Sequence, residues 1–375
     1  MTPTWKPRLL FAAYMAGGNA TILQNLEDVI AQRSDVDSAW LRIEMDAESK
    51  RLDRTPRRSL IPGTIRNSMI TGEQIRAIER ARGGFDAAYF FQQTICMFLW
   101  RFRRRVPYVI ALDGTPLWYR KNELWYAQPR FDPRTLASRI KHALTRRVYQ
   151  QAFHVLPLSW SARESLIEDY GVPPERITVV PPGINLRKYV CPDRRSTSRA
   201  ARPLNLLFVG ADFLRKGGDL LVTLATQPEF RDLHFHFVTR SYQGPTAENI
   251  HVHDGLTTNS EPMVNLFRQA DLYALPTRAD SHAIASLEAM AMGLPVITTP
   301  VGGVVDVVQD GETGYLIPRD DVAALADRIR RLRDDPELRV RMGMCGRARV
   351  EAHFNGDTIA ATVVDVLKQA AASRS

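Results

Sequence analysis

Short apolar runs rich in β-branched and aromatic residues alternate with helix-length segments along the whole chain. Nothing else in the sequence constrains the fold as strongly. A strand, a helical crossover and a second apolar strand make a right-handed parallel βαβ unit, and a series of them builds open parallel sheets with helices on both faces. In the first half the strands read as Leu9–Met15, Ala39–Ile43, Ala87–Phe91, Tyr108–Leu112, Phe153–Leu156 and Ile177–Val180, with a long loop over residues 46–70. Pro181-Pro182-Gly183 breaks the series. Cys191 to Pro203, rich in Arg and Ser and without apolar period, has linker composition. A second series follows: Leu204–Val209, Leu233–Val238, Ile250–Val252, Leu272–Leu275, Val296–Thr298 and Gly314–Ile317. Three helices, Val322–Arg333, Pro336–His353 and Thr358–Ala372, close the chain. The expectation is α/β: two Rossmann-like doubly wound domains, residues 1–188 and 189–356, facing each other across a cleft. Ligands would bind at the carboxyl ends of their strands.

With 375 residues and 45% apolar content the chain can bury two cores, and 24% charged residues argues against wholesale disorder. Cys96, Cys191 and Cys345 are odd in number and widely spaced. They indicate neither a disulfide framework nor a Cys-based zinc site, and fit a reducing, cytoplasmic setting. No apolar run reaches the roughly 18 residues of a spanning helix. Lys6 and Arg8 ahead of Leu9 to Ala16 faintly resemble a signal peptide. The helical pattern after them, Thr21 to Gln32, continues without a convincing cleavage site, which favours a buried first strand ending at a Gly17-Gly18 turn. Charge is uneven. Residues 1–190 hold 29 Lys+Arg against 18 Asp+Glu, a net of +11, while the remainder holds 21 against 23. The basic half therefore suits an anionic partner.

The densest chemistry lies between Leu275 and Pro318. A buried strand ends at Leu275, a polar loop holds Asp280, and a helix expected to begin near Ser281 ends at Gly293 and feeds another strand. Asp280 precedes that helix and Glu288 sits about two turns inside it, with free amides at the helix start facing an anion. The plain alternative is a capping Asp280 or Ser281 and a solvated Glu288.

The run Glu288-Ala289-Met290-Ala291-Met292-Gly293-Leu294-Pro295-Val296 resembles the family 4 retaining glycosyltransferases, which have the GT-B fold. So do Val301-Gly302-Gly303 and Asp310-Gly311-Glu312-Thr313-Gly314-Tyr315-Leu316 after it. Val179-Val180-Pro181-Pro182-Gly183-Ile184, Phe208-Val209-Gly210 and Arg215-Lys216-Gly217-Gly218 extend the resemblance over most of residues 150–355. It implies a nucleotide diphosphate sugar as donor, transfer with retention, and neither cofactor nor metal. It further implies that Glu288 holds the donor's ribose hydroxyls and that Asp280, where the family has a longer glutamate, contacts the transferred sugar. The amides of His282, Ala283 and Ile284 would face the sugar and phosphate. Ser281-His282-Ala283 stands where Gly-Phe-Gly is common. Lys216, following the strand-end Gly210, would neutralise the leaving diphosphate. An arginine usual after the first glycine is replaced by Ala211-Asp212, which makes Arg215 the candidate substitute. The last helix, within residues 357–375, would cross back to the first domain.

Weaker candidates lie elsewhere. Asp113, at the end of Tyr108–Leu112, stands near where many family members place a histidine; it either meets the acceptor or the developing positive charge, or is a turn aspartate held by Gly114. Gly17 and Gly18 either admit a phosphate or acceptor to the backbone or make a tight turn. His234 with His236, and His251 with His253, alternate on strands; with no third ligand suggested nearby they read as sheet-face residues rather than metal ligands. Arg134 to Gln150 is a basic amphipathic helix, and with Arg101 to Arg105 and the nearby Trp118, Tyr119, Trp125 and Tyr126 it suits either solvent or an anionic membrane surface. No nucleic-acid motif is present.

Together these features predict transfer of a sugar from a nucleotide diphosphate donor to a glycan or lipid-linked acceptor, in cell-surface polysaccharide or glycolipid synthesis. The enzyme would be cytoplasmic or peripheral on the inner membrane face. The rivals are a catalytically weakened GT-B-fold protein that binds a glycan or lipid, and a sugar-nucleotide epimerase.

Overall fold

The computed structural model describes residues 6–15, 18–43, 63–121, 135–194, 202–282 and 284–374. Two parallel-sheet α/β units result. Among the described residues, the first takes residues up to 183 together with 357–374, and the second takes 184–356.

The first unit is built on β1 (Arg8–Tyr14), β2 (Asp37–Ile43), β3 (Ala87–Phe91), β4 (Tyr108–Leu112) and β5 (His154–Pro157), all parallel, in the order β2-β1-β3-β4-β5. β3 and β4 are buried along their whole length, which is why they read as continuous apolar runs rather than alternating ones. Leu10, Ala88, Phe90 and Ile110 on one face pack with Ile75, Phe102 and Tyr149 from three helices. The C-terminal helix Gly356–Ala372 belongs here, burying Val363, Val364 and Leu367, and Lys368 Nζ donates to Asp35 Oδ2 at 2.6 Å. Strand order reverses between β1 and β3, so the crevice of this sheet opens at their carboxyl ends.

The second unit has six parallel strands: β6 (Leu204–Val209), β7 (Leu233–Val238), β8 (Ile250–His253), β9 (Leu272–Leu275), β10 (Val296–Thr298) and β11 (Gly314–Leu316). Their order is β11-β10-β9-β6-β7-β8. Here the reversal lies between β6 and β9, whose carboxyl ends therefore flank the crevice.

Four local expectations need correction. Ile177–Val180 forms no ladder, only a bridge from Ile177 to Val155. The N–H groups of Thr178 and Val180 do donate to Val155 and Pro157, but Pro157 has no N–H to return a bond. Residues 63–70 are not loop: a helix runs from Gly63 to Arg82, while residues 46–62 lie outside the described residues. Its inward face is Asn67, Ser68, Thr71, Gly72 and Ile75, mostly small and polar, so it carries no apolar period to read. Ser68 Oγ instead donates to Thr94 O and accepts from Phe98 N. The helix expected from Ser281 spans Ile284–Ala291, with Ser281 and His282 in the preceding loop. Finally, Arg194, read as linker, is a buried clasp. Its guanidinium donates to the carbonyls of Met292, Ala270, Arg268 and Phe267, whose orphaned helix-end and loop oxygens need a donor. Residues 195–201 are outside the described set. No helix among the described residues is long and apolar enough to cross a membrane.

Candidate active site

The loops that leave β6 and β9 meet at the reversal point of the second sheet. After β6, Gly210 leads into a turn that returns at Gly217, whose φ of +77° and whose position leave no room for a side chain: a Cβ there would lie 2.1 Å from the Pro276 carbonyl oxygen. A Cβ on Gly210 would similarly meet Lys216 Cβ and Cγ at 2.9 Å, so this glycine makes space for the lysine stem. Lys216 is thereby held against the β9 loop, where its Nζ donates to Asp280 Oδ2. The side chains are 15% and 6% exposed. Burial pulls the Lys216 ammonium below its usual range, and the Asp280 charge opposes that pull. Asp280 is therefore an ion-pair partner of Lys216.

Arg215 braces the same loop. Its Nε donates to Asp212 Oδ2 at 2.9 Å and its Nη1 to the Ala279 carbonyl at 2.9 Å. Arg278, which sequence reasoning missed, grips Asp219 with both terminal nitrogens at 2.7 and 2.8 Å and Asp320 through Nε at 2.6 Å. A bidentate fork of this kind fixes geometry as well as charge, and the two carboxylates hold the guanidinium charged more firmly than usual.

Glu288 is not a solvated helix residue. It is buried, and its Oε1 has no hydrogen-bond partner. Burial pushes its carboxyl up to about 7, and the Tyr189 hydroxyl opposes that push. Tyr273, fully buried in β9, is raised by burial and then by the charges of Glu288 and Asp280. Neither Tyr189 nor Tyr273 could be singled out by motif; only the folded chain brings them to the carboxylates. Ser281 accepts from Gly303 N at 3.1 Å, His282 is buried, and Ile284 opens the helix. Ala283 lies outside the described residues.

In the first unit, Asp113 follows β4 and is buried. It accepts from Gln92 Nε2, and it is also bonded by Tyr119 and by backbone amides. Burial raises its carboxyl above the ordinary range, since these partners are neutral. Gln92 adopts φ +79°, a left-handed conformation costly for a side chain with a Cβ, directly after β3. Gly18 is the exposed first residue of helix Gly18–Ile30; Gly17 lies outside the described residues.

The four paired histidines stack on one face of β7 and β8. His251 Nε2 lies 3.0 Å from His234 Nδ1, His236 Nδ1 lies 3.1 Å from His253 Nε2, and His236 Nε2 reaches Asn205 Oδ1 at 3.2 Å. Among the described residues, no group of three or more His, Cys, Asp or Glu side chains is arranged to hold a metal.

Comparison with known proteins agrees with this architecture. The sequence is 30% identical over 228 residues to a D-inositol 3-phosphate glycosyltransferase of Streptomyces scabiei, covering 54% of this chain and 50% of that one. The chain thus spans about half the length of the relatives it matches. Its fold superposes on sucrose-phosphate synthase of Thermosynechococcus elongatus with a TM-score of 0.74, at 19% identity, over 98% of this chain and 100% of the other. It superposes on the Anabaena HepE protein, solved in complex with UDP-glucose, with a TM-score of 0.69 at 16% identity, over 97% of this chain and 100% of that one. The fold is GT-B. Residues 17–188 match the family described as Glycosyltransferase Family 4 and residues 203–335 match Glycosyl transferases group 1, and the chain belongs to this family of glycosyltransferases.

Proposed function

We propose that the chain transfers a sugar from a nucleotide diphosphate sugar to a glycan or lipid-linked acceptor, with retention at the anomeric carbon. The observation that carries this reading is the buried Lys216–Asp280 pair at the crevice of the second sheet, with buried Glu288 on the helix that follows. The Asp280 carboxylate pairs with the lysine's charge. A bound diphosphate takes over that cation, which frees Asp280 to turn to the sugar hydroxyls. Lys216, with Arg215 behind it, then favours the state in which the anomeric C–O bond to the diphosphate breaks and negative charge grows there. The acceptor hydroxyl oxygen bonds to the same carbon, and its proton leaves with the diphosphate. Glu288 accepts from the ribose hydroxyls. Asp113 and Gly18, on the first unit, belong to the acceptor side.

The membrane-facing part of the proposal rests on the helix Leu136–Gln151. Leu136 and Ile140 are 71% and 50% exposed, among Arg139, Lys141, Arg146 and Arg147. That combination fits the anionic inner face of a membrane carrying a lipid-linked acceptor, and so cell-surface polysaccharide or glycolipid synthesis.

A panel of nucleotide sugars in a thermal-shift screen identifies the donor, because ligand binding to the folded state raises the melting temperature. NMR of the product made with that donor then reads the anomeric configuration. Retention supports the proposal. An inverted product overturns retention, and a product still attached to the nucleotide identifies an epimerase. Stabilisation with no turnover on any acceptor identifies a binding protein.

A further inference from the structure

Between helix Gly63–Arg82 and the short helix Trp100–Arg105, the first unit holds a groove of about 530 Å³. None of the candidate site residues lines it. Its floor is apolar. Ile75 and Phe102 are buried there, and Leu99 rests on Gly72, where a Cβ would lie 2.9 Å from Leu99 Cδ2. Its rim is cationic. Arg76, Arg101 and Arg105 line it against one carboxylate, Glu79, which Arg105 holds in an ion pair. Among the described residues, no carboxylate pairs with Arg76, with Arg101 or with the neighbouring Arg104. Trp100 also lines the groove and is 53% exposed, with the guanidinium carbons of Arg101 and Arg104 at 5.0 and 5.6 Å from its ring centroid. One indole shared by two guanidiniums gathers positive charge at a single point, although like charges repel.

The groove is part of a larger surface. Ile75 and Phe102 share a core cluster with Val148 and Tyr149 of helix Leu136–Gln151. The three helices therefore cover one face of the sheet, and the last of them exposes Leu136 and Ile140 among its arginines. A lone phosphate would use the guanidiniums and leave the apolar floor bare. A neutral lipid would fill the floor and leave the cations unmatched. An anionic phosphate joined to an acyl chain matches both. We propose that this groove binds a single anionic phospholipid, its phosphate on Arg76 and Arg101 and the start of an acyl chain against Leu99 and Phe102. The proposal rests on the membrane-facing reading for the source of that lipid, and adds to it a saturable site. Helix Leu136–Gln151 attracts a charged surface at a distance; the groove selects one molecule of it.

The test uses the full chain and monomeric probes. Calorimetry compares dihexanoyl phosphatidylglycerol, dihexanoyl phosphatidylcholine and the deacylated headgroup glycerophosphoglycerol, each below any micelle-forming concentration. Phosphatidylglycerol should saturate a single site. The other two should bind at least about ten-fold more weakly, since one lacks the net charge and the other the chain. Arg76→Glu combined with Arg101→Glu changes two exposed residues. It should cost phosphatidylglycerol about ten-fold or more in affinity and leave thermal unfolding unmoved. Arg139→Glu with Arg147→Glu, on another helix, should leave that affinity within about two-fold. Equal binding of phosphatidylcholine or of the deacylated headgroup overturns the proposal, as does undiminished binding by the Arg76 and Arg101 variant. Vesicles of phosphatidylcholine containing phosphatidylglycerol separate the layers. If the vesicles bind and monomeric phosphatidylglycerol does not, the groove proposal falls and the membrane-facing reading stands. If the monomer binds as expected and the vesicles do not, the membrane-facing reading falls alone.

Discussion

At the crevice of the second sheet, Lys216, Asp280 and Glu288 are all shielded from solvent, and Arg215 and Arg278 are tied to Asp212, Asp219 and Asp320 around them. The first unit arranges charge differently. Its buried carboxyl, Asp113, is met by an amide, a phenol and backbone N–H groups, and its arginines on helices Trp100–Arg105 and Leu136–Gln151 stand mostly in solvent. Buried, prepositioned charge stores an unfavourable state that an ionic ligand relieves; solvated charge attracts at a distance and costs little to fold. On the function proposed above, the second unit grips an anion at one place, and the first meets a surface while keeping in its crevice an acid whose charged form burial disfavours.

The hardest test of that contrast is Lys216→Ala. Transfer, read as the initial rate of donor consumption, should fall by about 100-fold or more. The variant should also lose about 3 kcal/mol of stability by denaturant unfolding, because Asp280 is left buried without its cation. Adding Asp280→Asn should recover much of the stability and none of the rate. Near-normal turnover of the single variant breaks the comparison at its strongest point.

Glu288→Gln probes the same stored strain with a smaller effect. Its carboxyl titrates at about 7 in the fold, above the ordinary 4.5. A raised acid contributes stability that is whole below 4.5 and lost as the pH climbs through 7. The neutral amide escapes this loss, so the variant should be more stable at pH 8 by about 3 kcal/mol and gain nothing at pH 4. Equal unfolding midpoints at pH 8 would place Glu288 in an ordinary solvated environment. A gain in stability together with weaker donor binding is the trade expected of a functional acid.

Much of the fold can be read from residues alone, for a physical reason. Leu204–Val209, Leu233–Val238, Leu272–Leu275 and Val296–Thr298 have the same limits in sequence and structure, since apolar residues fill their buried positions and polar turns bound them, with Leu233–Val238 alternating because His234 and His236 lie on its less buried face. Helix Gly63–Arg82 escapes such reading because its buried face, with Ser68 and Gly72, lies on the Thr94–Leu99 segment after β3, trading apolar period for hydrogen bonds and close approach. In the site, the meeting of Lys216 with Asp280 follows from their places after β6 and β9, strands that adjoin across the reversal point. Tyr189 and Arg278 leave no such trace. Their partners, Glu288 in one case and Asp219 with Asp320 in the other, lie far along the chain, so the contacts exist only once packing has set the distances.

The histidine stack on β7 and β8 carries the contrast to the edge of the second unit. Burial, and then the charges of His251, His253 and His234, pull His236 from the usual 6.5 down to about 4. Burial lowers His251 and His253 as well. A depressed base gives stability that is whole above 6.5 and fades as pH falls toward 4, because the unfolded chain takes up the protons. Thermal unfolding should therefore drop across that window. His236→Gln should flatten the drop by about 1–2 kcal/mol, allowing for solvent screening of these partly exposed rings. An unchanged acid slope would show that the stack does not hold these rings neutral.

The smallest effect on stability should come from the first unit's outer arginines. Reversing Arg139 and Arg147 to Glu on the exposed side of helix Leu136–Gln151 should shift unfolding free energy by less than about 0.5 kcal/mol, since solvated charges contribute little to the fold. Sedimentation with vesicles containing anionic phospholipid should respond far more strongly, with most binding lost and the remainder sensitive to salt. Donor binding by the second unit should stay unchanged in the same variant. If vesicle binding survives the reversal, the first unit's charge is ordinary solvation. If donor affinity falls with it, the division of labour between a gripping unit and a surface-meeting unit fails.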